Sequence, residues 1–463
     1  MGRCIWAGTA ASVLIVAGGI IVGPGASSHG PALRLAGYAA SYAGIVTLVG
    51  AWLYLGRALA RSPGTPSSVV LGALVAWGLP MLCGPVLFSR DIFSYAAQGR
   101  EIVVGINPYH HGPAALGGGA YLPYVSRMWA DARSPYGPFF LGIDALIVRH
   151  AGQHVMVAVG LLRLLACAGV ALLAVALPRL ASSCGADPSS ALWLGVLNPL
   201  MLLHVVSGGH NEGLMLGLMV AGLACAREGR FAAGLVLCLV AATVKMPAAV
   251  GALYVGADWI RSCPDGLARA RAALRLVATA LATAVTLTAA AGLGWGWLGT
   301  VTTPTRVKSA LSVTTDIGQA AGKVLRGLGA GVPAGWALST ARLVGLGAAL
   351  ALAGLLLASG SRRPSAAGIG LTLLAVVALG PVIQPWYVLW GMVPLAAAGP
   401  GRFRPVLIYI SAGLCLLVLP DGRAVTGLVM VGVMAGTGAV GVMSYVGGTP
   451  GWPRRPVRRA GFT

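Results

Sequence analysis

The stretch "SRDIFSYAAQGREIVVGINPYHHGP", residues 89–113, sets a carboxylate, Asp91, directly after a long apolar run. Acidic residues are scarce, eleven in 463, so each is a candidate for chemistry. Asp91 has two readings. It either caps a helix or pairs with Arg90, or it acts as a general base or a ligand to sugar hydroxyls. A base must take the proton of an attacking alcohol, and partial loss of water at a membrane edge tunes a carboxylate for that task. The "IFSYAAQG" that follows puts Phe93, Ser94, Tyr95 and Gln98 within a turn and a half of helix. Their ring faces and amide suit a sugar, although core packing uses the same aromatics.

Other polar groups interrupt apolar sequence in the same way. "SPYGP", residues 134–138, is a rigid turn centred on Tyr136. In "GGHNEGLMLGLMVAGL", His210, Asn211 and Glu212 are consecutive at the end of an apolar run. Asn211 either caps the following helix or, with its neighbours, holds acceptor hydroxyls or adds a second acidic group. In "VKMP", Lys245 lies between two apolar runs with Pro247 two residues on. A lysine at membrane depth is costly and marks function more often than not; snorkelling is the alternative. The proline breaks the helix and aims the ammonium at a cavity. Arg306 and Lys308, in "TTPTRVKSALSVTTDIG", add cations, and clustered Lys and Arg beside a membrane leaflet favour a phosphate ligand. "QPWYVLW" contributes Gln384, Trp386 and Tyr387, either a cavity wall or an interfacial aromatic belt. A metal site is a weaker reading: Asp91, His210, Glu212, His110 and His111 supply ligand types, but no spacing demands one.

These residues must be positioned by an apolar framework. Hydrophobic residues make up 57% of the chain and charged residues 9%, against roughly 25% charged in soluble domains. Strand-like alternation is missing, which argues against a β-barrel. The expected fold is all-α, a polytopic integral membrane protein. Fourteen apolar spans are predicted near 5–23, 35–58, 67–87, 153–177, 189–206, 211–226, 231–246, 247–260, 272–292, 336–358, 366–382, 386–399, 404–420 and 424–444. Several are short enough to be tilted, broken or half-crossing. The first is read as a retained helix rather than a signal peptide.

With the N-terminus in the cytoplasm, alternation puts Arg57, Arg61, Arg179, Arg227, Arg230, Arg261, Arg269, Arg271, Arg275, Arg362, Arg363, Arg402 and Arg404 on the cytoplasmic side, together with the basic tail. That satisfies the positive-inside rule. The opposite side then receives the 89–152 loop, the 208–212 turn, Lys245, the 294–333 loop and the 384–387 turn. Charge bias alone set this topology, yet it gathers the unusual polar residues on one face. The expected organisation is N-terminal spans (1–88), an extracytoplasmic catalytic loop with interfacial helices, Phe139 to Val148 among them (89–152), motif-bearing spans (153–292), a second extracytoplasmic loop (293–335), and C-terminal spans with a cytoplasmic tail (336–463).

The net charge of +21 is spread singly and in pairs between apolar runs, so nucleic acid is not an expected partner. The eight cysteines show no metal-ligand spacing and read as small buried hydrophobes. A transporter would line a path to both faces with polar groups, and many transporter folds carry an inverted repeat; neither is seen. A purely structural subunit would not need Asp, His, Glu and Lys on one face.

At the quoted stretches, in order from about residue 89 to 390, the sequence resembles the GT-C glycosyltransferases. It looks most like the actinobacterial polyprenol-phosphate-mannose-dependent α-(1→6)-mannosyltransferases. The 89–109 block together with "GGHNEGLM" carries most of the specificity. The resemblance implies a GT-C fold with an acidic residue in the first extracytoplasmic loop, at Asp91. It implies a polyprenyl-phosphate-mannose donor, a mannan or lipomannan-type glycolipid acceptor, and inverting single displacement. On it, Asp91 is the base, and Lys245, Arg306 and Lys308 meet the donor phosphate. Tyr95, Gln98, Tyr136, His210, Asn211, Glu212, Gln384, Trp386 and Tyr387 contact sugar or acceptor. GT-C enzymes often carry a second acid right after the first; here Ile92 and Phe93 follow, leaving Glu101 or Glu212 as substitutes and a metal requirement open. No resident cofactor is expected, the lipid-linked sugar being a substrate. Related arabinosyl- and glucosyltransferases share the layout.

Overall fold

The structure is a computed structural model that describes residues 1–23, 29–303, 311–333, 335–359 and 364–447. Apart from one isolated bridge between Val418 and Ala424, every regular element among the described residues is helical. Apolar runs longer than a strand, started by proline or a polar cap and stopped by glycine, dictate this. Helices α1 (Gly2–Val22), α2 (Pro31–Arg61) and α3 (Ser67–Cys83) open the chain, and α2 starts on a proline whose missing N–H is no loss there.

The long loop is itself structured. It folds into α4 (Asp91–Val103), the short α5 (Arg127–Ala130) and α6 (Pro138–Ala151). The last covers residues 139–148, where a helix is expected. The bundle resumes with α7 (Val155–Ser183), α8 (Pro188–Gly195), α9 (Glu212–Arg227), α10 (Phe231–Val244), α11 (Ala249–Arg261) and α12 (Gly266–Ala291). The Asp187 carboxylate caps α8 by accepting from Ser189 N–H, and Asp265 caps α12 by accepting from Ala268 N–H. After the short α13 (Trp297–Thr300) come α14 (Val313–Gly327), α15 (Trp336–Ala358), α16 (Ser365–Leu379), α17 (Val388–Ala398), α18 (Arg404–Leu414) and α19 (Gly427–Gly447).

Each expected apolar span contains a helix, with one clear difference. The 189–206 span is broken: α8 stops at Gly195, and a π-helical stretch, Met201–Ser207, follows. Pro199 removes a backbone donor at the break, and the Asn198 side chain serves the groups there: its amide N–H donates to the Leu194 carbonyl at 3.2 Å, and its oxygen accepts from Leu200 N–H at 2.9 Å and from the Ser411 hydroxyl at 2.7 Å. Wider π turns recur where a helix must re-aim side chains at a site, and this one carries His204.

Among the described residues, five helices, α1, α2, α7, α12 and α15, are long and apolar enough to cross a membrane. Their outer faces point the same way chemically. On α12, Leu267, Leu274 and Leu281 recur every seven residues at 62%, 71% and 62% exposure, and α15 presents Leu343, Leu350 and Leu355. Apolar surface of this extent is not stable in water; it is the surface of a membrane protein.

Inside, two tryptophans lock α2 to α8. Trp52 and Trp193 stack at 4.8 Å, and each indole N–H donates to the other's carbonyl, at 3.0 and 2.8 Å. Arg163, buried in the middle of α7, donates to the carbonyls of Gly84 (2.8 Å) and Met81 (2.6 Å) at the end of α3. A cation at a helix C-terminus meets both unpaired carbonyls and the dipole. This bond set ties α3 to α7 immediately before Asp91.

Candidate functional site

Asp91 is the first residue of α4, with Arg90 in the cap position. Neither structural alternative for it holds among the described contacts. Its backbone N–H is taken by Ser89 Oγ at 3.1 Å, and the Arg90 guanidinium turns away to donate to the Tyr124 carbonyl at 3.0 Å. The carboxylate instead accepts from the indole N–H of Trp129 through Oδ1, at 3.0 Å. Oδ2 lies 3.8 Å from His210 Nδ1.

The 208–212 turn brings His210, Asn211 and Glu212 under α4. Gly209 takes a positive φ of +71°, and a Cβ there would fall 2.3 Å from Ile92 Cδ1. Only glycine allows the chain to turn so tightly against α4. His210 is fully buried, lies 4.0 Å from the Trp386 ring centre, and its Nδ1 is 3.4 Å from the Tyr95 hydroxyl. Glu212, also fully buried, pairs with Lys245 through Oε1, and the same oxygen accepts from Trp386 N–H at 3.1 Å. Its Oε2 has no hydrogen-bond partner and lies 3.8 Å from His210 Nδ1.

Lys245 sits in the break between α10 and α11 with an extended backbone, followed by a 3-10 turn, Met246–Ala248. Pro247 therefore does break the helix. The ammonium lies 5.0 Å from the Tyr387 ring centre and 5.6 Å from that of Trp390, aromatic faces that favour a cation. Tyr387 and Trp390 stack at 4.1 Å. The 134–138 turn reaches the same place because Gly137 packs directly on Thr243; a Cβ there would be 2.5 Å from the Thr243 carbonyl oxygen. Tyr136, Tyr95 and Phe140 then form an edge-to-face triad at 5.1 to 5.3 Å.

The structure thus gathers Asp91, Tyr95, Tyr136, His210, Glu212, Lys245, Trp386 and Tyr387 from five separate stretches. Asn211 occupies the cap position of α9 without making a cap bond, and its buried amide lacks a partner on both atoms. Gln384 is half-buried at the start of the aromatic turn. Gln98 differs from expectation: it is 4% exposed, and its oxygen accepts from the Ser134 hydroxyl at 2.9 Å. That bond holds the 134–138 turn onto α4. Arg306 and Lys308 lie outside the described residues. Among the described residues, no group of three or more His, Cys, Asp or Glu is arranged to hold a metal ion, and Glu212 is already engaged by an ammonium.

Three residues escaped the sequence reading. Trp129 stands alone in a loop, where no periodicity marks it. His204 (both nitrogens buried without a partner, 4.7 Å from Trp386) and Arg163 sit inside apolar runs, and a polar group so placed is the available signal.

Burial pushes the Asp91 carboxyl up to about 6, opposed by the Lys245 ammonium and the Trp129 N–H and aided by the Glu212 carboxylate. Glu101, the other candidate second acid, makes no described hydrogen bond or ion pair with this cluster. It is fully buried with both oxygens unpartnered, and burial pushes it up to about 8. A carboxyl raised in the fold stabilises it fully only below its unfolded value, and the contribution is lost as pH rises through about 8. Glu101→Gln should therefore match wild type in thermal unfolding at pH 4 and exceed it at pH 8.5, by on the order of 4 kcal/mol. Equal midpoints at both pH values would show that Glu101 is solvated or paired.

Comparison with known proteins bears on this cluster. Residues 5–261 match the family model described as alpha-(1->6)-mannopyranosyltransferase, N-terminal domain. Residues 314–446 match that of the MptB C-terminal domain. The chain is 35% identical to alpha-(1->6)-mannopyranosyltransferase A of Mycobacterium tuberculosis, over 90% of this chain and 84% of that protein. It is 32% identical to alpha-(1->6)-mannopyranosyltransferase B of Corynebacterium glutamicum, over 82% and 69% respectively.

Proposed function

The chain belongs to the alpha-(1->6)-mannopyranosyltransferase family, and from that premise we propose that it moves mannose from a polyprenyl-phosphate carrier onto a mannan or lipomannan-type acceptor. It is a glycosyltransferase by family; donor, stereochemistry and side of the membrane are our reading. The observation that carries the reading is the arrangement at Asp91. One carboxylate oxygen is held by Trp129, the other makes no hydrogen bond and lies 3.8 Å from His210 Nδ1, and the Lys245 ammonium is near enough to act on its charge.

In the proposed step, the acceptor 6-hydroxyl oxygen attacks the anomeric carbon of a β-mannosyl phosphate. Asp91 Oδ2 takes the hydroxyl proton as the new C–O bond forms. The bond from the anomeric carbon to the phosphate oxygen breaks on the far side, so the β donor gives an α product. Polyprenyl phosphate leaves with the electron pair, and Lys245, with Arg306 and Lys308, meets its charge. Tyr95, Tyr136, Trp386 and Tyr387 bound the sugar, with Gln384 at the rim. This reaction needs two substrates and no resident cofactor.

We read the chain as fourteen crossings with both termini cytoplasmic and the site extracytoplasmic, a sidedness that the ends of several helices support. Glu212 begins α9 and Arg227 ends it, on a helix of 16 residues, so one helix has its acid at the site end and its arginine about 22 Å away. Arg61 ends α2 and Arg261 ends α11 in the same manner, as the positive-inside rule asks.

Membranes containing the protein, given radiolabelled mannosyl-phosphoryl polyprenol and a short α-(1→6)-mannoside, are expected to yield a product one α-(1→6)-linked mannose longer. Transfer from a soluble sugar nucleotide in place of the lipid donor would overturn the donor assignment. A β-linked product would overturn inversion.

A further inference from the structure

Two carboxylates face His210, and each is held in the same way. Glu212 has one oxygen on the Trp386 indole and Lys245, and the other free. Asp91 has one oxygen on the Trp129 indole, and the other without a hydrogen bond, 3.8 Å from His210 Nδ1. The Trp386 contact comes from a motif rich in aromatics. The Trp129 contact comes from α5, in the middle of the long loop, and has no role in the reaction written above.

Asp91 needs such a contact. Its side chain is 24% exposed, so packing alone does not fix its two torsions. Among the described contacts, Trp129 is the one side chain that donates a hydrogen bond to it. Trp129 is itself held in place from α4. Arg90 donates to the Tyr124 carbonyl, and the Tyr124 ring stacks on Phe93 at 5.4 Å. The helix that carries the carboxylate, with its cap residue, thus also supplies the two anchors of the segment that orients it.

We propose that Trp129 is a positioning residue for the base: its indole N–H occupies Oδ1 and so presents Oδ2 alone to the acceptor hydroxyl. This rests on Asp91 being the base. The bond has an electrostatic consequence as well, because a donor to the charged carboxylate favours ionisation. It offsets part of the burial that raises Asp91 and keeps more of the base ionised near neutral pH.

A matched pair of substitutions isolates the N–H. The amide nitrogen of Gln is three bonds from Cβ, as the indole nitrogen is; Met has the same length and no donor. Trp129→Gln and Trp129→Met lose the ring equally, and Trp129→Phe keeps an aromatic ring without the N–H. Trp129→Met and Trp129→Phe are expected to lower kcat about tenfold or more. Their donor KM should stay within about twofold, as for a group acting only on the transition state. The acid limb of their pH–rate profile should move up by about one pH unit. Trp129→Gln should keep the limb near its wild-type position.

Asp91→Asn in the same assay separates the two claims. Transfer by Asp91→Asn at the wild-type rate removes the base and this inference with it. An inactive Asp91→Asn with unmoved acid limbs in Trp129→Met and Trp129→Phe overturns the inference alone. Failure of all three Trp129 variants to accumulate folded in the membrane assigns the residue to packing and overturns it too.

Discussion

Asp91→Asn is expected to lower kcat by about 10²- to 10⁴-fold, the usual contribution of a positioned general base, with the protein still folded in the membrane. The amide is isosteric and still accepts the Trp129 N–H through its oxygen, so the geometry of α4 survives. What it loses is the ability to bind the departing proton. Wild-type activity should carry its own mark of this role. Only the ionised carboxylate accepts a proton, and its value lies near 6. The rate should therefore hold above about pH 7 and fall about tenfold per unit well below 6. Asp91→Asn should show a low rate without that limb. Initial rates across pH 5–8, with labelled donor, read both effects. A variant within a few-fold of wild type would remove Asp91 from proton transfer, and a residual rate that keeps the limb would assign the limb to another group.

The helices were legible because a membrane chain writes them plainly. Runs of apolar residues bounded by proline, glycine and arginine need no periodicity to be read. The polar interruptions were legible for the same reason: Asp91, His210, Glu212 and Lys245 stand out against sequence that tolerates few charges. Their convergence could be anticipated only as a shared side of the membrane. That Glu212 and Lys245 touch, 33 residues apart, depends on how α9, α10 and the 384–387 turn meet, and one sequence holds no record of that. Gln98 shows the opposite limit. Its type suits a sugar, but its partner is the Ser134 hydroxyl, contributed by a turn 36 residues on. The break at residues 196–200 was hidden because Pro199 sits inside a run whose composition reads as continuous helix, and Trp129 was hidden because a lone loop aromatic has no pattern to belong to.

Lys245→Ala should damage stability and catalysis together, and a second substitution should separate them. Glu212 is fully buried, and Lys245 is its counter-charge. Removing one partner of a buried pair leaves an uncompensated charge and costs about 3–5 kcal/mol. Lys245→Ala should therefore lower the thermal midpoint in detergent strongly. Glu212→Gln should cost less, because the ammonium keeps the faces of Tyr387 and Trp390 and is 14% exposed. Replacing both, as Lys245→Met with Glu212→Gln, removes both charges at nearly constant volume, and such replacements are often neutral or stabilising. The double variant should thus regain most of the midpoint lost by Lys245→Ala. Activity should not return with it. Glu212 takes one of the three hydrogens of the ammonium, leaving two for an anionic donor, and a charge-assisted bond is worth about 1.5–3 kcal/mol. Loss of it should raise the apparent donor KM by about ten- to a hundredfold. A folded double variant with wild-type donor KM would make the pair purely structural. A Lys245→Ala protein as stable as wild type would show that the pair does not hold the fold, and the role of Lys245 would then rest on the donor alone.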